Sequence, residues 1–375
     1  MTELKYITTT VTAAFPRAKR YSTVRFNDCL KLALNRYQPP RRREDGFTLI
    51  FLHCTGFQKE TWEEVIKHIF SHSDDIPIRE AIAFDWVGHG DSALLNKGKL
   101  GYDLLWSDGG RDLLAVIDEL QISQPIVSIG HSMGGGQALI ACQLRPRQFT
   151  ACIAIEPVAY PFTDDSHIYA ITAALTYLPD QFKNKESAVK FLKSSTTRSF
   201  DKAVMDRHKE TGLYQPYADE RVAFKSSSWQ QTALYSANNS LEEIFAVMSY
   251  VNDPVLLIIA ENGKWNPPEA PKALSHALRN SETVVIPDAR HMLVQEIPRK
   301  TASVIVSYLS KTWTAWAEEQ QKERTRSEEE FQRNVETGLE RKVQQLRAHG
   351  KDRRKIAQGA YNAKAATKNE SKSKL

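Results

Sequence analysis

Short apolar segments alternate with longer amphipathic segments along most of the chain, and this alternation predicts the fold. The apolar runs predict strands at residues 48–52, 80–84, 126–129, 151–155, 255–259 and 283–286. The amphipathic stretches predict helices at residues 63–70, 106–120, 135–144, 269–278 and 299–311. Strands that alternate with helices favour an α/β fold, in which a mainly parallel sheet is covered by helices on both faces.

Residues 160–248 interrupt this alternation. The interval has no clear strand pattern and is rich in aromatic residues. It predicts a helical cap inserted into a sheet domain that comprises residues 1–159 and 249–314. Because the cap would cover the end of the sheet, some of its rings are expected to line a pocket.

Residues 315–375 form a charged extension. They include 15 basic and 10 acidic residues and therefore carry the whole net charge of +5, whereas residues 1–314 are balanced. Residues 317–348 lack proline and predict a helix. Its one narrow apolar stripe could pack on the body or on a second copy, so a homodimer is a candidate assembly. The stripe consists of Phe331, Val335, Leu339, Val343 and Leu346. From Gly350 onward the polar sequence predicts disorder.

The chain ends in Ser373, Lys374 and Leu375, the tripeptide that the peroxisomal import receptor reads. We therefore expect a protein of the peroxisomal matrix with that receptor as a partner. Residues 1–20 lack the apolar segment of a secretory signal. No apolar run approaches the ~18 residues that span a bilayer, so stable membrane insertion is not expected.

The composition narrows the function further. An apolar fraction of 41% allows a sizeable core. The four cysteines show neither C-x-x-C spacing nor another metal-binding pattern, so no metal and no cofactor are expected. The balanced charge of residues 1–314 gives no reason to expect a nucleic acid as partner.

Ser132 is the candidate nucleophile, at the centre of the G-x-S-x-G motif of residues 130–134. A predicted strand precedes this motif and a predicted helix follows it, which is the context of a nucleophile elbow. The turn would expose the serine hydroxyl, and the amide of Met133 would face a developing oxyanion. The alternative is a glycine-rich helix start that only binds an anion.

A serine nucleophile needs a general base, and His291 is the candidate. It follows the last predicted strand and precedes a helix, whereas His276 lies on a predicted helix and His349 lies in the charged extension. The alternative for His291 is a loop histidine that caps the following helix.

Two residues are candidates for the acid that would orient this histidine. Its usual place is the loop after the strand at residues 255–259, which contains Glu261 and no aspartate. Glu156 ends the strand at residues 151–155 and would reach the same rim as Ser132, and Pro157 would hold it extended. The sequence favours Glu156 and leaves Glu261 as the alternative.

A second oxyanion donor is expected from residues 53–57, which follow the first predicted strand. Its small residues allow a close approach of backbone to substrate. The amide of Thr55, or else that of Cys54, would pair with the amide of Met133. Three further polar residues near these loops are expected to be scaffolding: His53, Asp85 and His89.

Residues 45–312 resemble the α/β-hydrolase superfamily. The shared motifs are H-x-x-G at 53–56, D-x-x-G-H-G-x-S at 85–92, G-H-S-M-G-G at 130–135 and H-x-x-x-x-E at 291–296. Residues 53–60 and the terminal tripeptide resemble its fungal peroxisomal branch. That branch includes a yeast peroxisomal lipase, the acyl-CoA hydrolase of mycophenolic acid biosynthesis, and the hydrolases of AK-, AF- and ACT-type host-selective toxin clusters.

The resemblance implies hydrolysis of an acyl ester or thioester, with acyl-CoA among the candidates, in secondary metabolism or toxin biosynthesis. In the mycophenolic acid enzyme the acid follows the sixth strand, and the resemblance carries that role to Glu156. The expected enzyme is a cofactor-free peroxisomal serine hydrolase of a small acyl substrate. Its triad would be Ser132, His291 and Glu156, with the amides of Thr55 and Met133 as oxyanion donors.

Other activities remain alternatives at this point. A lipase or a C–C bond hydrolase would keep the same triad, and a non-catalytic peroxisomal interaction protein would keep only the fold. Epoxide and haloalkane hydrolases are disfavoured, because they attack with a carboxylate where this chain has Ser132.

Overall fold

The computed structural model describes residues 4–160, 172–237 and 240–372. Part of the predicted cap, residues 161–171, lies outside the described residues. The terminal tripeptide, residues 373–375, does so as well.

Eleven strands are present in the described residues, eight of them in one central sheet. They are β1 (Lys5–Thr12), β2 (Lys31–Gln38), β3 (Arg42–Leu52), β4 (Ile78–Phe84), β5 (Ile126–His131), β6 (Ala151–Ile155), β7 (Gln181–Phe182), β8 (Leu213–Tyr214), β9 (Val222–Phe224), β10 (Val255–Ala260) and β11 (Ser281–Ile286). The central sheet has the order β1-β2-β4-β3-β5-β6-β10-β11. Neighbouring strands from β4 to β11 in this order are parallel. Strand β2 is antiparallel to both of its neighbours, β1 and β4.

All six predicted strands are present, so the prediction of a mainly parallel sheet is confirmed. Strands β1 and β2 were not predicted from the sequence. Most of β1 is exposed, so it has no apolar run, and Asn35 and Arg36 interrupt the apolar residues of β2.

Twelve α-helices are named in the described residues, and those within residues 1–314 flank this sheet or build the cap. Their bounds are α1 (Glu63–Phe70), α2 (Gly90–Leu95), α3 (Ser107–Glu119), α4 (Met133–Leu144), α5 (Lys185–Ser194), α6 (Lys202–Thr211), α7 (Ser228–Tyr235), α8 (Ser240–Ala246), α9 (Ala270–Ala277), α10 (Leu293–Glu296), α11 (Pro298–Thr325) and α12 (Glu328–Lys372). Residues 172–176 are also helical. None of the described helices is long and apolar enough to cross a bilayer.

The central strands are buried on both faces, which explains their nearly continuous apolar sequences. In β3, Leu49 and Phe51 pack into one cluster with side chains of α1 and α11. Ile50 and Leu52 point to the opposite face and pack with α3 and α4. Helices therefore cover both faces of the sheet, and the carboxyl ends of its parallel strands lie together at one edge.

The predicted cap is not purely helical, and the prediction that it contains no strand is wrong. The strands β7, β9 and β8 form a small antiparallel sheet in that order. Each has only two or three residues, which is too short for an alternating pattern to stand out. The cap also contributes an apolar cluster that packs against Phe57 and Met292 of the sheet domain; its buried members are Leu192, Phe200, Val204 and Met205.

Residues 1–314 and residues 315–375 form two compact units. In the second unit the end of α11 is followed by α12, and the five residues of the apolar stripe are 40–65% exposed. The helix α12 continues to Lys372, so the prediction of disorder from Gly350 onward differs from the structure. Good helix formers and the absence of proline after Pro298 account for the longer helix.

Candidate active site

Ser132 lies at a sharp turn between a buried strand and a buried helix. Strand β5 ends at His131, and α4 begins at Met133. The backbone of Ser132 has φ 55° and ψ −118°, a strained conformation for a residue with a side chain. A Cβ atom at Gly134 would lie 2.4 Å from the carbonyl oxygen of Leu52, so glycine allows α4 to start against the end of β3. The turn therefore has the geometry of a nucleophile elbow.

The structure brings Ser132, His291 and Glu156 together in one hydrogen-bonded series. The Ser132 hydroxyl lies 3.0 Å from Nε2 of His291. Nδ1 of the same ring lies 3.1 Å from Oε2 of Glu156. With the proton on Nδ1, His291 donates to the carboxylate and accepts from the serine. Ser132 keeps 6% of its surface exposed, so this arrangement is enclosed.

The position of Glu156 at the end of β6 is set by its backbone conformation and by a hydrogen bond to the carboxylate oxygen that does not contact His291. Its φ is 45°, and Oε1 accepts a hydrogen bond of 2.7 Å from the amide of Ala260. The side chain of Glu261 is exposed and instead accepts from the amide of Asp288 at 2.9 Å. Of the two candidate acids, Glu156 contacts His291 in this structure.

Burial sets the charge state of the series before any reaction. It raises the pKa of Glu156 to about 7, an effect that the hydrogen bond from Ala260 partly offsets. Burial also lowers the pKa of His291 to about 3. His291 is therefore neutral at pH 7 and free to accept a proton from Ser132.

The loop that contains Thr55 is fixed on both sides by buried histidines. His53 donates from Nδ1 to the carbonyl oxygen of Cys54 at 2.8 Å. The amide of Gly56 donates to Nε2 of His89 at 3.0 Å. Because a trans peptide points its N–H opposite to its C=O, these bonds fix the direction of the Thr55 amide.

Both histidines are neutral, so one ring nitrogen of each can accept a hydrogen bond from a backbone amide. Burial lowers the pKa of His53 to about 4 and that of His89 well below its ordinary value. The remaining nitrogen of His53 accepts from the amide of Trp86 at 3.1 Å. The two residues thus tie the loop of residues 53–57 to the loop after β4, consistent with the scaffolding role expected for them.

A buried ion cluster supports the same loops. The ammonium of Lys59 lies 2.9 Å from Oδ2 of Asp85, 2.8 Å from Oε1 of Glu60 and 2.7 Å from Oδ2 of Asp91. Asp85 also accepts from the amide of Lys59 at 2.7 Å. Asp85 therefore holds the backbone at Lys59, which agrees with the scaffolding role expected for Asp85. The role of Lys59 was not predicted, because no sequence pattern marks a lysine as buried.

Two residues that contact His291 were not predicted from the sequence. The ring of Trp265 stacks on the His291 imidazole, with centroids 5.3 Å apart and planes inclined by 17°. His131 donates from Nε2 to the backbone carbonyl of His291 at 2.8 Å. Trp265 lies in the loop after β10, and a contact between that loop and His291 depends on tertiary structure.

Within the described residues, no cluster of three or more His, Cys, Asp or Glu side chains is arranged to hold a metal ion. The cysteines are free; Cys29 is exposed, and the other three are buried. Burial raises the pKa of the Cys54 thiol to about 12, so this neighbour of Thr55 is an unreactive thiol at neutral pH.

Comparisons with known proteins establish the family of this chain. A family model described as alpha/beta hydrolase fold matches residues 48–296. The chain belongs to the α/β-hydrolase family. This assignment confirms the superfamily predicted from the sequence motifs.

Fungal relatives are among the similar proteins. Peroxisomal membrane protein LPX1 of Saccharomyces cerevisiae is 29% identical over 331 residues, which cover 78% of this chain and 83% of that protein. The type I acyl-CoA thioesterase mpaH' of Penicillium brevicompactum is 33% identical over 142 residues, which cover 36% of this chain and 33% of that protein. These matches confirm the resemblance to the fungal peroxisomal branch.

A solved structure shares the fold over most of the chain. The peroxisomal alpha-beta-hydrolase Lpx1 of Saccharomyces cerevisiae aligns with a TM-score of 0.76 at 24% identity. The alignment covers 92% of this chain and 99% of Lpx1. At this identity the match establishes the shared fold.

Proposed function

We propose that the protein is a serine hydrolase that cleaves acyl ester or thioester bonds. The observation that carries this proposal is the series from the Ser132 hydroxyl through His291 to Glu156, with contacts of 3.0 Å and 3.1 Å. A nucleophile, a neutral base and an orienting acid in this order are the groups that acyl transfer requires.

In the first half of the proposed reaction, Oγ of Ser132 attacks the carbonyl carbon of the substrate and its proton passes to Nε2 of His291. Glu156 stabilises the imidazolium that forms. The carbonyl oxygen becomes an oxyanion, and the amides of Thr55 and Met133 donate to it. The imidazolium then protonates the leaving alcohol or thiol, which leaves an acyl ester on Ser132.

In the second half, water attacks the acyl ester. His291 removes a proton from the water and returns it to Oγ of Ser132, so the acid product leaves and the enzyme is restored. Met133 is suited to the oxyanion role because the first amides of a helix have no partner within the helix. Thr55 is suited because His53 and His89 fix the peptides on either side of it.

The substrate class and the compartment belong to the same proposal. The relative mpaH' is named an acyl-CoA thioesterase, which supports a thioester such as an acyl-CoA as substrate. Residues 373–375 and the peroxisomal name of LPX1 support import into the peroxisome by its receptor. A role in secondary metabolism or toxin biosynthesis rests on the resemblance of the sequence to that branch. A lipase or a C–C bond hydrolase would use the same three residues.

A labelling and turnover experiment tests the proposal. The wild-type chain should react with a fluorophosphonate probe and should hydrolyse members of a panel of acyl-CoA thioesters and aliphatic esters. Ser132→Ala should do neither, and Ser303→Ala, which changes an exposed serine on α11, should do both. If the probe labels the chain but no panel member is hydrolysed, the result would favour cleavage of another kind of bond, such as a C–C bond. Absence of labelling would favour a non-catalytic protein.

A further inference from the structure

Four large apolar side chains are exposed on two neighbouring loops, residues 20–26 and 97–102. Tyr21, Val24, Phe26 and Tyr102 expose between 53% and 68% of their surface. We refer to these four residues as the apolar patch. Single exposed apolar residues are common, but a contiguous group marks an interaction surface.

The apolar patch has a fixed shape because the two loops pair with each other. The amide of Val24 donates to the carbonyl of Lys99 at 2.9 Å, and the amide of Tyr102 donates to the carbonyl of Tyr21 at 3.0 Å. The rings of Tyr21 and Tyr102 stack with centroids 5.6 Å apart and planes inclined by 12°. A Cβ atom at Gly101 would lie 1.9 Å from the carbonyl oxygen of Tyr21, so the close pairing depends on glycine.

Exposed cations lie on the loops of the apolar patch and directly before them. The guanidinium of Arg20 lies 5.4 Å from the centre of the Tyr21 ring and 5.9 Å from that of Phe26. Two acids that follow these loops, Asp28 and Asp103, are half-buried, and Asp28 accepts from the amide of Arg25 at 2.8 Å. Lys19 also lies near Glu243. The exposed cations of the rim are Lys19, Arg20, Arg25 and Lys97.

The apolar patch lies at the same edge of the sheet as Ser132. Strand β2 is antiparallel to β4 and begins at Lys31, so the chain before it lies where β4 ends. The amide of Lys31 donates to Oδ1 of Asn96 at 2.7 Å, and Asn96 directly precedes the second loop, so this loop starts at that end as well. Ser132 follows β5, whose carboxyl end lies at this edge as well.

We propose that the apolar patch docks the protein on the surface of a lipid bilayer that carries anionic headgroups. Tyrosine and phenylalanine rings insert at the boundary between headgroups and acyl chains. Lysine and arginine beside them are attracted to anionic lipids. A second copy of the chain fits less well, because a two-fold contact between two such patches would bring two sets of rim cations close together. Docking would turn the active-site edge of the sheet toward the bilayer.

Co-sedimentation of the full-length chain with vesicles tests this proposal. The chain should bind vesicles of phosphatidylcholine mixed with phosphatidylserine and bind pure phosphatidylcholine more weakly. Arg20→Glu and Lys97→Glu should each lower the association constant about fivefold or more, because one cation near an anionic surface contributes that much. The double variant Phe26→Ser with Tyr102→Ser should lower it about tenfold or more through lost apolar contact.

Matched control variants compare the apolar patch with exposed residues elsewhere in residues 1–314. Val285→Ser, on the opposite edge strand β11, and Lys272→Glu, on α9, change exposed residues elsewhere and should bind like the wild type. Ser132→Ala should also bind like the wild type, which keeps this result independent of the proposed chemistry. Wild-type binding by the patch variants, or equal binding to neutral and anionic vesicles, would overturn the proposal. A wild-type dimer that the patch variants convert to a monomer would show a protein interface instead.

Discussion

Gly263 lies directly against Glu156, and a Cβ atom at Gly263 would lie 2.5 Å from Oε2 of that carboxylate. The same oxygen contacts Nδ1 of His291, and the other oxygen is bonded to Ala260, so the carboxylate has little room to move. The loop after β10, where the sequence lacks the usual aspartate, instead makes room for an acid from β6.

Gly263→Ala should therefore impair activity without unfolding the protein. Displacing the carboxylate by about 1 Å should lower kcat roughly a hundredfold. Gly338→Ala in α12, where a Cβ atom meets no other atom within 4 Å, is the control and should keep full activity. Steady-state kinetics with thermal unfolding of both variants checks this, and a fully active Gly263→Ala enzyme would show that Glu156 does not need its present position.

Much of the fold and part of the site could be predicted from the sequence. The six parallel strands have continuous apolar runs because helices cover both their faces, and the glycine-rich turn identifies Ser132. The cap strands could not be predicted because they are too short to show an alternating pattern. The edge strand β1 could not be predicted because it is mostly exposed and has no apolar run.

Contacts between loops that are distant in sequence could not be predicted from the sequence. The sequence favoured Glu156 over Glu261, but only the packing of β6 against β10 brings Glu156 to His291. The stacking of Trp265 on His291 and the burial of Lys59 also depend on tertiary structure. No local pattern encodes either contact.

Replacement of the two candidate acids should have very different effects. Glu156→Gln should lower kcat by a factor on the order of 10⁴, because a neutral amide cannot stabilise the imidazolium of His291 and favours the wrong tautomer. Glu261→Gln removes a carboxylate that contacts the backbone of Asp288 and should cost little activity. Comparison of kcat for the two purified variants checks this, and the reverse order would assign the acid to the loop after β10.

The pH profile should follow the ionisation of Glu156. Its pKa is raised to about 7, so protonation below that pH removes the charge that stabilises the imidazolium, and kcat/KM should fall as the pH falls through about 7. In Glu156→Gln this ionisation is absent and burial lowers the pKa of His291 to about 3, so the residual rate should stay level well below pH 7. An unchanged acid limb in the variant would assign the ionisation to another group.

Removal of Ser373, Lys374 and Leu375 should change location and leave chemistry intact. A receptor reads this tripeptide, and none of the residues proposed for catalysis lies in it. A fluorescently tagged chain, with the tag at its amino terminus, should move from peroxisomes to the cytosol, while kcat in vitro stays at the wild-type value. Continued import of the truncated chain would place the targeting signal elsewhere.

The proposed mechanism requires Ser132 to carry the acyl group between the two half-reactions. Mass spectrometry of the enzyme quenched during turnover of a substrate from the panel measures this most directly. This mechanism predicts an added mass equal to the acyl group on the peptide that contains Ser132, and no such adduct in Ser132→Ala. Turnover by Ser132→Ala, or an acyl adduct on any other residue, would contradict it.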